Sequence, residues 1–558
     1  MREISSSGSL PALTSQMDVE HGNLTLMRGR NLFSTLRMLA LQGIKQPIHS
    51  TRHILALGGQ LSRVLLGATV HQPNDTDVRF QDPSWRLNPF YRRRLQTYLS
   101  LHKQFNAWID ESNLSADDRT RVHFLLDIVA DALAPSNSPL NPLALKELLN
   151  TGGTSVIKGI RHMVDDMLHN GGMPSQVNKQ AFEVGRNLAT TPGAVVFRNE
   201  LLELIQYKPM SEQQYARPVL IVPPQINKFY IYDLTVEKSF VQYALKNRLQ
   251  VFTISWRNPD ARHRDWGMTD YVQAIEQAVD ACRSITASKE VNLIGACAGG
   301  LSIAALQGYL LSKRQLRKIS SATYLVTALD CQVESPAALF VDEPTLEAAK
   351  RRSDQHGVLN GRDMARMFAW LRPNDLIWNY WINNYLLGKE PPSFDVLFWN
   401  NDTTCLPAAL HADFLDFFKI NCLEVCGTPV DLKKINIDSF HVGGANDHIT
   451  PWDTAYRSAN ALGGKKRFLL SRSGHIQAIL NPPGNPKAEY MEHDTLYDDP
   501  QVWYGEAQKY KGSWWTTWLD WVHQRSGEQR ETLDILGNQD YPVLDPAPGT
   551  YVFETGEA

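Results

Sequence analysis

Residues 291–311 read VNLIGACAGGLSIAALQGYLL. An apolar run, Val291 to Ile294, meets the small-residue turn Gly295-Ala296-Cys297-Ala298-Gly299-Gly300, and a helix-like apolar run follows. Strand, Gly-x-Cys-x-Gly, helix is the pattern of a nucleophile elbow. The tight turn forces its central residue into an exposed position, and small flanking residues let strand and helix approach closely. Cysteine stands where serine is usual. Cys297 is expected at the helix N-terminus, where oriented N–H groups favour a thiolate, with the N–H of Ala298 facing a developing oxyanion. A buried structural cysteine beside a glycine turn would explain the five residues alone. The strand before them and the helix after them favour the nucleophile.

Outward from the elbow, short apolar runs alternate with helical segments. RPVLIVPP (217–224), LQVFTISW (249–256), SATYLVTALD (321–330), IDSFHVGG (437–444) and KKRFLLSR (465–472) read as strands, and YVQAIEQAVDACRSI (271–285) as a helix. Such alternation implies a parallel α/β sheet. The fold class expected is therefore α/β, an α/β-hydrolase fold with a lid insertion at about 331–435, within a catalytic domain 201–558. Residues 31–200 carry apolar positions at three- and four-residue intervals and are expected to form a helical N-terminal domain. Residues 1–30, Ser-rich and without period, are expected to be disordered.

The bulk composition narrows the function classes. With 43% hydrophobic and 21% charged residues, the 558-residue chain is of ordinary globular type. A net charge of -3 gives no global reason to bind nucleic acid. The start, MREISSSGSLPALTSQMD, lacks the apolar core of a secretory signal, and no apolar stretch approaches the ~18 residues of a membrane span. The six cysteines form no C-x-x-C motif and are too sparse for a disulfide framework, which fits a reducing cytoplasm. Apart from Cys297 they are expected to be packing residues.

An elbow nucleophile needs an acid and then a histidine downstream. His475 follows a strand running into a glycine turn and is the best placed; His493 and His523 lack that context. Asp447, at the end of IDSFHVGGAND and one strand before His475, is preferred over Asp330 as the acid. Its neighbour His448 is a candidate for orienting the site. A second oxyanion donor is expected from the backbone of Ile226 or Asn227, in the loop IVPPQINKFYIYDL (221–234).

Cysteine in place of serine suggests the chemistry. A cysteine acyl-enzyme is a thioester, close in energy to an acyl thioester substrate. Exchange is then nearly thermoneutral, and passage of the acyl group to a hydroxyl runs downhill. The residues point to acyl transfer from a thiol carrier, with a cysteine-nucleophile hydrolase of acyl thioesters or activated esters as the alternative.

Long strings extend the reading. DPSWRLNPFYRR, VPPQINKFYIYDL, SWRNPD, GACAGG, WLRPNDLIWNYWINNYLLGKEPPSFDVLFWNNDTTCLP, DHITPW, SGHIQAILNPP, GSWWTTW and PAPGTYV run through nearly the whole chain. On these it resembles the poly(3-hydroxyalkanoate) synthases, in particular the single-subunit, medium-chain (class II) type found in pseudomonads. The resemblance implies an acyltransferase that polymerises (R)-3-hydroxyacyl groups from coenzyme A, with the nucleophile at Cys297, the aspartate at Asp447 and the histidine at His475. It also implies no metal and no cofactor, a homodimer, a cytoplasmic location on storage-polyester granules, and phasin-type granule proteins as partners. Trp399, in FWNNDT, matches a family segment near the active-site entrance. With Asn227 and His448 it completes the candidate substrate contacts. A depolymerase would keep serine at the elbow, and a non-catalytic granule-coat protein would not need all three triad residues.

Overall fold

The computed structural model describes residues 29–74, 77–330, 343–532 and 535–555. The disordered stretch expected over 1–30 lies outside them, apart from Gly29 and Arg30, which open a helix. Cys331 also lies outside. The described chain divides into two compact units: 29–178 with 343–345 and 366–392, and 179–330 with 346–365 and 393–555.

The first unit is helical, as the three- and four-residue periodicity of its sequence predicts. Two of its helices begin at an Asn-Pro pair. Asn88 and Asn141 cap Pro89–Asp110 and Pro142–Asn150, their side chains accepting from the N–H of Phe90 and Leu143. Proline at the first helical position has no N–H to leave unpaired. Phe80, Trp85, Leu95 and Ala134 form a buried cluster. The turns Asn374–Trp378 and Trp381–Leu386 belong to the same unit. There the helix Thr154–His169 packs so closely that a Cβ on Gly159 would lie 2.0 Å from the carbonyl oxygen of Tyr385. Buried Asp166 accepts from the N–H of Ser175 (3.0 Å) and the hydroxyl of Tyr385 (2.8 Å).

The second unit is built on one eleven-stranded sheet. Its strands are β1 Gly193–Arg198, β2 Leu202–Tyr207, β3 Val219–Val222, β4 Val251–Trp256, β5 Val291–Ala296, β6 Ile319–Leu325, β7 Asp438–Gly444, β8 Lys466–Ser471, β9 Glu489–Glu492, β10 Gln508–Lys511 and β11 Asp545–Pro546. The order across the sheet is β10-β9-β8-β7-β6-β5-β3-β4-β2-β1-β11. From β4 to β8 all neighbours are parallel, and these six strands are the ones read from the sequence. β3, β4 and β5 are buried along their whole length, as parallel strands covered on both faces must be. The flanking strands pair antiparallel. β1 starts at Gly193, so the sheet takes in residues read as the end of the helical region. The helix Trp514–His523 closes one face, its Trp514, Trp515 and Trp518 rings packed on Phe240. Cys282 and Cys405 are buried as expected. Cys422 and Cys426 are exposed, the first just past the end of the helix Ala408–Ile420 and the second in a tight turn, which corrects the packing reading for both.

Candidate active site

The parallel strands order the site by their ends. Strand order reverses between β3 and β5, and a doubly wound sheet opens a crevice at such a point, beyond the carboxyl ends of the strands. Val222 pairs with Gly295 there, so the loop after β3 and the turn after β5 leave the sheet side by side.

Cys297 occupies that turn as the N-cap of the helix Ala298–Ser312, with φ 49° and ψ −121°. A non-glycine residue held at positive φ is strained, and such strain persists only where surrounding structure enforces it. Here the enforcement is close contact. A Cβ on Gly299 would lie 2.2 Å from the carbonyl oxygen of Val222, and one on Gly295 would lie 2.7 Å from that of Gly299. The helix is thus pressed onto β3 and its own strand, and only Cys297 and Ala298 remain partly open between residues 291 and 308. The oriented N–H groups of the helix start favour negative charge on an oxyanion bound there.

Asp447 and His475 come from the two neighbouring strand ends. Gly444 pairs with Ser471 across β7 and β8, and beyond them Ala445 N–H donates to Ser471 O (2.8 Å) and Asn446 N–H to Ser473 O (3.0 Å). The two loops are therefore stitched together. Asp447 Oδ2 lies 2.7 Å from His475 Nδ1, with both side chains buried. Its Oδ1 accepts from the N–H of Ile449 (2.8 Å) and Thr450 (2.9 Å). Burial alone would push the imidazole pKa down. The Asp447 carboxylate, and after it the Cys297 sulfur that engages the same ring, raise it to about 10. His475 is thereby a strong proton acceptor beside the nucleophile.

The loop after β3 shows a second opening. Every residue from Pro218 to Leu234 is buried except Ile226 and Asn227. Among the described residues, neither N–H donates a hydrogen bond within the chain. Gln225 Nε2 donates to Ser302 Oγ (2.8 Å), whose hydroxyl donates to Ala298 O (3.0 Å), tying this loop to the nucleophile helix.

The remaining candidates lie as follows. Trp399 is buried, its indole N–H donating to Lys228 O (2.7 Å). His448 is exposed. Asp330 accepts from Asn421 (2.9 Å), His493 is bonded to Thr495 O (3.0 Å) and His523 to Asn247 O (2.9 Å), so these three are engaged elsewhere. Two features gave no sequence signal. The Tyr232 hydroxyl is buried without a hydrogen-bond partner among the described residues, and burial and then Cys297 push its pKa up. Thr404 bonds the loop holding Ile226, across 178 positions of sequence. Three residues of metal-ligand type, His49, His53 and Glu111, gather in the helical unit with their ligand atoms within 4.8 Å of one another. Arg52 already pairs with Glu111, and His49 Nε2 with Trp108 O (3.1 Å).

Comparison with known proteins gives the lineage. A family model described as the N-terminus of poly-beta-hydroxybutyrate polymerase (PhaC) matches residues 76–244, and the alpha/beta hydrolase fold matches 218–482. Poly(3-hydroxyalkanoate) polymerase 2 of Ectopseudomonas oleovorans is 62% identical over 550 residues, covering 98% of each chain. The chain belongs to the poly(3-hydroxyalkanoate) polymerase family. Polymerase 1 of the same organism is 52% identical over 95% of each chain. The polymerase subunit PhaC of Cupriavidus necator is 38% identical, covering 85% of this chain and 83% of that one. Family membership thus spans the helical unit as well as the hydrolase-type sheet.

Proposed function

We propose that the chain polymerises (R)-3-hydroxyacyl groups from coenzyme A, with Cys297, His475 and Asp447 as its catalytic triad. The observation that carries the triad is the pairing of buried Asp447 and His475 at 2.7 Å, and Cys297 is among the groups that raise the pKa of the same imidazole. The substrate class rests on the names of relatives that cover almost all of the chain.

His475 carries, as imidazolium, the proton that Cys297 has given up, and the sulfur attacks the thioester carbonyl. The oxyanion is held by the N–H of Ala298 and by one from Ile226 or Asn227. The carbon–sulfur bond to coenzyme A breaks, and the leaving thiolate takes the proton from His475. The 3-hydroxyl of another acyl unit then gives its proton to His475 and attacks the Cys297 thioester, forming an ester and freeing the sulfur for the next cycle. Asp447 keeps the imidazole oriented and balances its charge. Medium-chain acyl groups, a homodimer, phasin-type partners and a cytoplasmic place on polyester granules complete the reading. No helix among the described residues is long and apolar enough to cross a membrane.

Purified protein incubated with (R)-3-hydroxydecanoyl-CoA should release thiol and yield chloroform-soluble polyester. Thiol release with only free 3-hydroxydecanoate would make the chain a thioester hydrolase instead.

A further inference from the structure

Four of the six carbonyls of loop 223–228 are taken up by tryptophan and threonine. Trp256 Nε1 donates to Pro223 O (2.8 Å), Thr404 Oγ1 to Gln225 O (2.5 Å), Thr404 N–H to Ile226 O (3.3 Å) and Trp399 Nε1 to Lys228 O (2.7 Å). Thr404 is buried, and it takes two successive carbonyls, one with its side chain and one with its backbone. A trans peptide is planar, so the C=O of one residue and the N–H of the next point in opposite directions. Turning the carbonyls of Gln225 and Ile226 toward Thr404 therefore turns the N–H groups of Ile226 and Asn227 away from it. Those are the two half-open residues of the segment, and neither N–H has a partner among the described residues. A buried Thr404 hydroxyl has no reason of its own to be there, since a valine would fill the same space.

We propose that Thr404 is a positioning residue for the second oxyanion donor: its two hydrogen bonds hold the Gln225–Ile226 and Ile226–Asn227 peptides with their N–H groups presented to the reacting carbonyl. The proposal rests on the reading that this loop supplies the donor. It makes the oxyanion hole a joint product of the β3 loop and the segment around Thr404, so a displacement of that segment would weaken acyl transfer without touching the triad.

The test compares Thr404→Val and Thr404→Ser with the unsubstituted chain in three measurements. Thr404→Val should lower kcat for thiol release from (R)-3-hydroxydecanoyl-CoA by about 10- to 100-fold, less than the loss of a whole donor. KM should stay within about threefold, because the interaction is made in the transition state. Alkylation of Cys297 by iodoacetamide, which builds no oxyanion, should keep its rate within about twofold. Thr404→Ser should restore most of kcat. An undiminished kcat in Thr404→Val overturns the proposal. So does a parallel loss of alkylation and thiol release, which would make Thr404 a merely structural residue. Should the unsubstituted chain release thiol but make no polymer, the polymerase reading fails while the Thr404 comparison stands, since hydrolysis passes through the same oxyanion. No thiol release by the unsubstituted chain from this substrate overturns both.

Discussion

Asp447 divides its carboxylate between two tasks: Oδ2 lies 2.7 Å from His475 Nδ1, while Oδ1 accepts the N–H groups of Ile449 and Thr450. The backbone bonds fix the carboxylate, and the fixed carboxylate fixes the ring. Asp447→Asn can keep the backbone bonds through its amide oxygen but would present N–H to His475, selecting the wrong tautomer. Thiol release should fall by roughly 10³- to 10⁴-fold with the circular dichroism spectrum unchanged. A loss under about tenfold would remove Asp447 from the triad.

The same pair makes stability depend on pH. The His475 pKa is raised from its ordinary 6.5 to about 10, so the imidazolium binds its proton more tightly folded than unfolded. That contribution is complete below pH 6.5 and disappears as pH rises through 10. Urea midpoints of the unsubstituted chain and Asp447→Asn should differ most at the acidic end of this window and converge at its alkaline end. A gap that widens with pH would contradict the assignment.

Cys297→Ser should fold normally, since oxygen fits where sulfur did in a turn set by its neighbours. It should lose most thiol release, because a serine acyl-enzyme is an oxoester and exchange with a thioester is no longer balanced. Polymerisation at the original rate would refute the nucleophile.

Two glycines predict opposite signs. Gly299→Ala would place a Cβ 2.2 Å from the carbonyl oxygen of Val222, so the nucleophile helix must move off β3. The expected cost is about 1–3 kcal/mol or more, with activity falling alongside. Gly59 lies exposed inside the helix Pro47–Leu65, with nothing within 4 Å of its added Cβ. Gly59→Ala should stabilise by up to about 1 kcal/mol. Thermal melts of the two variants distinguish contact from conformational freedom.

Glu203 is fully buried and is satisfied from the C-terminal segment: it accepts from Thr550 N–H (2.9 Å), Thr550 Oγ1 (2.7 Å) and Tyr551 N–H (3.0 Å), besides Arg198. Lys228, also buried, donates to Glu554 O (2.7 Å). Ending the chain at Gly549 should cost roughly 2–5 kcal/mol, since a buried carboxylate loses all its donors but Arg198. Adding Glu203→Gln to the truncated chain should recover part of that loss, read as a rise in the urea midpoint.

What the sequence disclosed follows from which interactions are local. The six parallel strands announced themselves as short, largely apolar runs, because burial on both faces favours apolar side chains along most of each strand. The elbow did so through glycines whose hydrogens touch backbone. β1, β9 and β10 escaped notice: PGAVVFRN sits between polar turns like a loop, and EYME and QKYK carry little apolar character. Asp447 was legible as the acid because the order and spacing of strands are sequence properties. The role of Thr404 was not, since a buried hydroxyl is chosen by a carbonyl that folding brings to it. Trp399 was legible as a notable residue but not by its contact, an indole N–H on Lys228 O.

The two rims of the sheet bear on how copies of the chain meet. One ends in the two-residue β11, which contains Pro546 and so lacks an N–H to share. The other ends in β10, fully exposed, with Lys509 and Lys511 along it. Short strands, proline and lysine are the features that deter one sheet from extending into another. Copies crowded together are therefore steered away from edge-to-edge aggregation, which leaves other faces of the chain for the homodimer proposed above.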